Sequence, residues 1–154
     1  MDTLKSDVLA LVANQNEMTL ATISEKNLPQ AATVFYVNRN FEFFFFSSSR
    51  SRHAKNIDRS PWAAATISNG CNCWTDIKGV QMEGKVTQIH SSIEKGKVVN
   101  MFSSKFPFIK GFIKEKGKML SIIKESNIYL FKVDVLYYTD NKYGFGQRRE
   151  LVLE

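Results

Sequence analysis

The segment Phe41-Glu42-Phe43-Phe44-Phe45-Phe46 constrains the fold of this chain more than any other. Aromatic side chains favour extended backbone, and successive side chains of a strand point to opposite faces. A strand here carries Phe41, Phe43 and Phe45 on one face and Phe44 and Phe46 on the other. Both faces are then apolar, and neither can simply face water. The interior of a closed barrel takes one face, and the other needs a helix or a second subunit over it.

With 154 residues, 44% of them hydrophobic and 23% charged, the chain is large enough to build that core as one domain, residues 1–154, without disulfides or structural metal. No run approaches the roughly 20 apolar residues of a membrane span. The N-terminal stretch Met1 to Val12 lacks the basic start and cleavage site of a secretory signal, so a soluble, cytoplasmic protein without membrane association is expected. Cys71 and Cys73 sit one residue apart, too close to bridge comfortably, which argues for a reducing compartment. A zinc site on this pair needs two more ligands, and His53 and His90 stand at no recognisable spacing from it, so no metal is expected. The net charge of +6 is concentrated between Glu94 and Glu125, where eight lysines meet three glutamates. That segment reads as a solvated face whose affinity for nucleic acid would be weak, salt-sensitive and not sequence-specific.

The hydrophobic spacing predicts a helix from Asp2 or Thr3 to about Asn14, with Leu4, Val8, Leu11 and Val12 on one side. Three β-prone runs follow, Met18 to Ile23, Ala31 to Val37 and Phe41 to Ser47, separated by Glu25-Lys26-Asn27 and Asn38-Arg39-Asn40, and they read as a three-stranded meander. A polar turn, Ser47 to Ser51, leads into a short helix from Arg52 that Pro61 stops. Strands are expected at Ala63 to Ser68, Gly79 to Ile89, Ile128 to Tyr138 and Arg148 to Leu153. Ser91 and Glu94 form a capping-box pattern before one helix, and Phe108, Ile109, Phe112 and Ile113 mark the buried stripe of another ending near Gly117. The order is mainly β: an antiparallel barrel with peripheral helices, since turns this short exclude a doubly wound parallel sheet.

Three constellations carry chemistry. The strongest runs from Phe43 to Lys55: serine hydroxyls at Ser47, Ser48, Ser49 and Ser51, then Arg52, His53 and Lys55 at the start of a helix. Small hydrogen-bonding residues, a helix N-terminus and a guanidinium together suit a phosphate, although capping serines and solvated cations produce the same pattern. In Lys78-Gly79-Val80-Gln81-Met82-Glu83-Gly84, two glycines bracket an alternating strand, which marks a bulge or a close approach. The third, Asp140 to Gly146 followed by Arg148 and Arg149, reads foremost as a turn whose glycines supply positive φ. Hydrolase and nucleotide-loop chemistry lacks its motifs: there is no G-x-S-x-G, no G-x-x-x-x-G-K and no dinucleotide glycine fingerprint.

Taken in order, Phe45-Phe46-Ser47, Ser51-Arg52-His53, Asn56-Ile57, Ser60-Pro61, Ala63-Ala64-Ala65 and Lys78-Gly79-Val80-Gln81 with Gly84 resemble the FMN-binding split barrel of pyridoxamine 5′-phosphate oxidase and its relatives. The likeness spans nearly the whole chain. Lys105-Phe106-Pro107 and Thr139-Asp140-Asn141 with Gly144-Phe145-Gly146 make it most similar to the YhbP-like branch. The resemblance implies a split barrel, and FMN in a groove between the two barrels of a homodimer. It places the FMN phosphate at Arg52, His53 and Ser47, the flavin ring along Val34, Phe35 and Tyr36, and Phe46 at the aromatic position before the hydroxyl. His53 stands where the family has a lysine, so that contact becomes pH-dependent. Gln30 to Val37 lacks the basic residues that flank the second strand in the oxidase, and Arg148 is the nearest counterpart of its C-terminal substrate arginine.

The function this implies is that of a small flavin-dependent oxidoreductase acting on a small molecule, with the cofactor supplying the redox chemistry and no catalytic acid or base nameable from sequence. A non-catalytic flavin store or sensor shares every cofactor residue. A split barrel holding another planar cofactor, deazaflavin or haem, is the remaining alternative.

Overall fold

The computed structural model describes residues 3–109 and 125–153. An N-terminal helix α1 (Thr3–Ala13) precedes the strands β1 (Glu17–Ile23), β2 (Pro29–Phe35), β3 (Val37–Arg39) and β4 (Glu42–Ser48). Helix α2 (Arg52–Arg59) then leads to β5 (Trp62–Ser68) and β6 (Lys78–Gln88), and helix α3 (Ser92–Lys105) to β7 (Ser126–Asp140) and β8 (Arg148–Val152). Two single 3₁₀ turns, Trp74–Asp76 and Asn141–Tyr143, lie beside one another. No helix among the described residues is long and apolar enough to cross a membrane.

All strands among the described residues belong to one antiparallel sheet in the order β2-β1-β5-β6-β7-β4-β3, with β8 added to β7. The first and last strands of that order are consecutive in the chain, separated by Tyr36 alone, so the sheet curls round into a split barrel with peripheral helices. β7, 15 residues long, is the spine: it pairs with β6 from Tyr129 to Asp140 along one edge, while β4 and β8 share the other. The three-stranded meander is therefore not formed. The second expected run breaks at Tyr36, whose phenol donates to the Val12 carbonyl at 2.6 Å and whose backbone N–H donates to the Asn16 carbonyl. Beyond that bend the chain pairs as β3 with β4, and β4 goes on to pair with β7. The turns fall at the expected clusters, where Asn27 and Asn40 adopt positive φ, a conformation asparagine tolerates better than most residues.

The phenylalanine strand divides as its alternation requires. Phe43 and Phe45 enter the barrel core with Tyr36, Phe131 and Leu136, and Phe41 packs against its edge. Phe44 points the other way, into a second cluster with Val98, Phe102 and Phe106 at α3. Phe46 completes that cluster, its ring 4.8 Å from Phe102. The second face is thus covered by a helix of the same chain. Burying each such ring contributes about 1.5–3 kcal/mol, which is why α3 docks here.

Only half of the expected capping box forms at that helix. Ser91 accepts from the Glu94 N–H, but the Glu94 carboxylate turns away to Arg39 at 2.8 Å, because a charged partner outweighs a neutral backbone donor. The expected helix at Phe108 to Gly117 lies mostly in residues 110–124, outside the described ones. Of its stripe, Ile109 is buried, whereas Phe108 is 57% exposed and tilts against Phe106.

β6 carries a register shift at Glu83/Gly84, where the Lys132 carbonyl of β7 occupies the space a Cβ would fill. Gly84→Ala should therefore cost about 3 kcal/mol or more in urea unfolding, since backbone rather than a side chain must yield. Gly96, inside α3 with open space around it, gives the opposite result: Gly96→Ala should stabilise by about 0.5–1 kcal/mol.

Candidate functional site

The split in the barrel lies between β2 and the second half of β4. β2 forms a ladder with β1 on one edge and none on the other among the described residues. Phe45 to Ser48 pairs only with β7, since β3 ends its pairing at Phe44. The two free edges lie near one another, and α2 begins beside them. A cleft of about 240 Å³ opens here, lined by Gln30, Ala31 and Ala32 of β2 and by Arg52 and His53 of α2.

Local sequence sets this geometry. The apolar strand ends at Phe46, and Ser47 to Ser51 turns the chain. Ser51 caps α2, accepting from the Ala54 N–H at 3.3 Å while donating to the Ser48 carbonyl at 2.8 Å. The cap places Arg52 and His53 in the first turn, at the positive end of the helix.

Proton counting fixes the roles in the serine–histidine group. The Ser51 hydroxyl proton is committed to Ser48, so at 3.0 Å Ser47 donates to Ser51. The 2.6 Å contact between Ser47 Oγ and His53 Nε2 is then a bond that Nε2–H donates, leaving Nδ1 as a bare acceptor in the neutral ring. Burial holds the His53 imidazole below its ordinary value of 6.5, so the ring is neutral at pH 7.

Arg52 is oriented from behind. Its Nε donates to Gln30 Oε1 at 3.3 Å, and the same oxygen accepts from Asn56 Nδ2 at 3.0 Å. Asn56 in turn contacts the Thr22 hydroxyl of β1. The chain Thr22–Asn56–Gln30–Arg52 pins the guanidinium by its inner nitrogen, and its two terminal nitrogens have no partner among the described residues. Two donors in one plane, next to serine hydroxyls and a helix N-terminus, suit a bidentate oxyanion. Gln30 was not identified as a site residue from sequence, and Asn56 entered only within the motif Asn56-Ile57, although it stands four residues after Arg52 and so on the same helix face.

Of the sequence-derived residues, the structure brings together Ser47, Arg52 and His53. Val34 points into the barrel core with the alternation of β2, and Tyr36, just beyond the strand, is held in the same core by its bond to the Val12 carbonyl. Phe35 faces outward, 53% exposed, with Phe106 edge-on at 5.5 Å. Phe46 is taken up by the packing under α3. Arg148 lines a separate cleft of about 290 Å³ on β5, β6 and β8, together with Gly79, Gln81 and Phe145. Lys105 was singled out only as part of a motif, yet it is anomalous. Its buried Nζ lies 4.0 Å from the Tyr36 ring centroid with no hydrogen-bond partner among the described residues, and burial pushes the amine down to about 8. A further cleft of about 700 Å³ lies by the β3–β4 turn, where Arg39 is already committed to Glu42 and Glu94.

The neutral His53 has a measurable consequence. Because its folded-state value is depressed, the unfolded chain takes up the proton first, so stability from this residue is present above about pH 6.5 and is lost as pH falls. Urea midpoints should decline between pH 7 and 5, and His53→Gln should flatten that decline by up to about 1.4 kcal/mol per pH unit. Identical pH slopes in the two proteins would show that the ring does not titrate in a buried setting.

Comparison with known proteins bears on this geometry. The family pattern described as pyridoxamine 5′-phosphate oxidase matches residues 4–124. A UPF0306 protein of Photorhabdus laumondii is 28% identical over 140 residues, covering 89% of this chain and 87% of the relative. The pyridoxine/pyridoxamine 5′-phosphate oxidase of a Cyanothece species is 30% identical over 90 residues, which is 57% of this chain and 40% of that enzyme. Among solved structures, a heme binding protein from Mycobacterium smegmatis superimposes with a TM-score of 0.76 at 16% identity, over 96% of this chain and 57% of its own length. By sequence and by the split of its barrel, the chain belongs to the pyridoxamine 5′-phosphate oxidase family.

Proposed function

We propose that this protein binds flavin mononucleotide at the split between β2 and β4 and acts as a small flavin-dependent oxidoreductase of the cytoplasm. The observation that carries the reading is the Arg52 guanidinium: fixed by Gln30 through Nε, open at both terminal nitrogens among the described residues, and seated at the start of α2 next to His53, which bonds Ser47. These residues fit a phosphate. Arg52 supplies the bidentate contact, and Ser47 accepts from His53 while turning its own proton from Ser51 toward an incoming oxygen. His53 contributes charge only where the pH is low enough to protonate it. When bound, the flavin supplies hydride or electron transfer, and the protein supplies orientation and a fixed electrostatic setting.

A cleft of about 240 Å³ is below the roughly 300–1,000 Å³ of sites that bury a whole ligand of this kind, so it takes the phosphate end alone. The outer face of β2 continues from Ala31 through Thr33 to Phe35, roughly 13 Å at the usual rise per residue. In this reading the ring extends along that face, and the Arg148 cleft of a second copy closes over it in a homodimer. Phe35, exposed and aromatic, is the residue of β2 that meets the ring; Val34 and Tyr36 act by holding the strand.

Haem is the second reading, and one observation favours it: by proton counting His53 Nδ1 keeps a free lone pair at the cleft. The two readings part on single substitutions. Losing a charge-assisted contact costs about 1.5–3 kcal/mol, so Arg52→Ala should weaken FMN binding roughly ten- to a hundredfold. Riboflavin, which lacks the phosphate, should be affected less. His53→Ala should leave FMN affinity at pH 8 nearly unchanged, whereas it should weaken haem binding sharply if His53 Nδ1 holds the iron. Equilibrium dialysis and absorption spectra of the reconstituted proteins decide the matter, and unchanged FMN affinity in Arg52→Ala would sink the flavin reading. Sedimentation at micromolar concentration should give a dimer, and a monomer would count against the shared groove.

A further inference from the structure

The turn from Asp140 to Gly146 does more than join β7 to β8. Two irregular segments contribute to the Arg148 cleft: the loop between β5 and β6, which supplies Ile77, and this turn, which supplies Asn141, Phe145 and Gly146. Asn141, 9% exposed, joins them. Its backbone N–H donates to the Ile77 carbonyl at 3.0 Å, and its Nδ2 donates to the Trp74 carbonyl at 2.7 Å. The other donor to the Trp74 carbonyl, the Ile77 N–H, stands farther off at 3.4 Å. Asn141 Oδ1 accepts from the Gly146 N–H at a long 3.5 Å, a return of the chain that Gly144 and Gly146 permit with φ of 137° and 68°. One amide side chain thus donates to the loop and accepts from the turn, which a carboxylate cannot do. Trp74 and Phe145, one from each segment, meet edge-on at 5.5 Å. They are 59% and 77% exposed, so burial does little to hold them, and the Asn141 bonds set where they stand.

We infer that Asn141 is a positioning residue for the Arg148 cleft: through the Trp74 carbonyl it holds the Trp74 and Phe145 rings together as the aromatic wall that meets the flat end of the ligand. The inference rests on the function proposed above, in which this cleft of a second copy closes over the flavin ring. Without the amide, the Trp74 carbonyl loses its nearer donor and turns toward water, which carries the indole off Phe145. The loop keeps its footing, because the backbone bond from Asn141 to Ile77 and the bonds of Asn69 to Lys78 and Asp76 do not involve the Asn141 side chain. The effect is therefore confined to the ring end of the site, and the phosphate contact at Arg52 is untouched.

The full-length protein carrying Trp62→Phe, which leaves Trp74 as its one tryptophan, tests this. Asn141→Ala and Asn141→Asp should both shift Trp74 emission to the red in the ligand-free protein and raise its quenching by acrylamide. In equilibrium dialysis both should weaken FMN and riboflavin by the same factor, roughly three- to tenfold, whereas Arg52→Ala acts chiefly on FMN. Asn141→Asp keeps the shape and loses the donor, so a merely space-filling role requires the parent's emission and affinity from it. Lowering the pH through about 4, where an aspartic acid gains its proton, should return the emission of Asn141→Asp toward the parent's, because the protonated acid can donate again. Asn141→Ala should show no such return, and it controls for Asp76 and Asp140, which are present in both variants. Parental emission in Asn141→Asp, or a larger loss for FMN than for riboflavin, would overturn the assignment. A parent protein that takes up neither flavin would sink the flavin reading instead; the red shift and its return at low pH would still support the clamp, and their absence would overturn it.

Discussion

The double burial of β4 is the constraint on which the rest of the structure depends. Phe43 and Phe45 fill the barrel, and Phe44 and Phe46 bind α3 to its outside, so this one strand is the wall between two cores. A strand so buried must be paired along its apolar length, and β7 does this from Glu42 to Ser48. The apolar run stops at Phe46, and the polar residues after it cannot follow into either core. They turn outward at the place where β3 no longer pairs with β4, which is also where β2 leaves its edge open. The site is thus a consequence of where four consecutive phenylalanines end.

The chemistry gathered there divides its labour by environment. Burial beside Phe45 keeps His53 neutral, and a neutral imidazole is a hydrogen-bonding spacer for Ser47 rather than a cation. The fixed positive charge in the cleft is Arg52, whose position is set by Gln30 and Asn56 rather than by an acidic partner. That distinction matters for an anion site. A guanidinium paired to a carboxylate, as Arg39 is to Glu42 and Glu94, must give up that pairing before it can bind anything else. Arg52 gives up nothing comparable, since its outer nitrogens are uncommitted among the described residues.

What was legible in the sequence was what local rules determine. The two faces of the phenylalanine strand, the Ser51 cap, the turns at Asn27 and Asn40 and the bounds of β5, β6 and β8 all follow from period, capping and positive φ within a few residues. The pairing of β4 with β7 joins residues far apart in the chain, from Glu42 with Lys132 to Ser48 with Ser126, and nothing in either strand names its partner. The meander failed for that reason. The inward turn of Tyr36 was equally hidden, since it is fixed by a bond to Val12 in α1. At the site, Ser47, Arg52 and His53 were readable because they are neighbours in sequence. Gln30 and Thr22 were not, because they reach Arg52 through tertiary contacts from two other strands.

An unpaired strand edge is normally a liability, because it offers a row of backbone donors and acceptors to any passing chain. Proteins that keep one blunt it with charge or proline, or cover it. The free edge of β2 starts at Pro29, has Arg52 alongside, and ends in Phe35, an exposed ring. Charge protects the first part of that edge, but an outward phenylalanine makes the last part more adhesive. A surface that repels water at one end and attracts anions at the other is poorly suited to solvent along its whole length. In the function proposed above, that edge takes an elongated ligand with a phosphate at one end and a flat ring at the other, which gives a physical reason for the barrel to stay split.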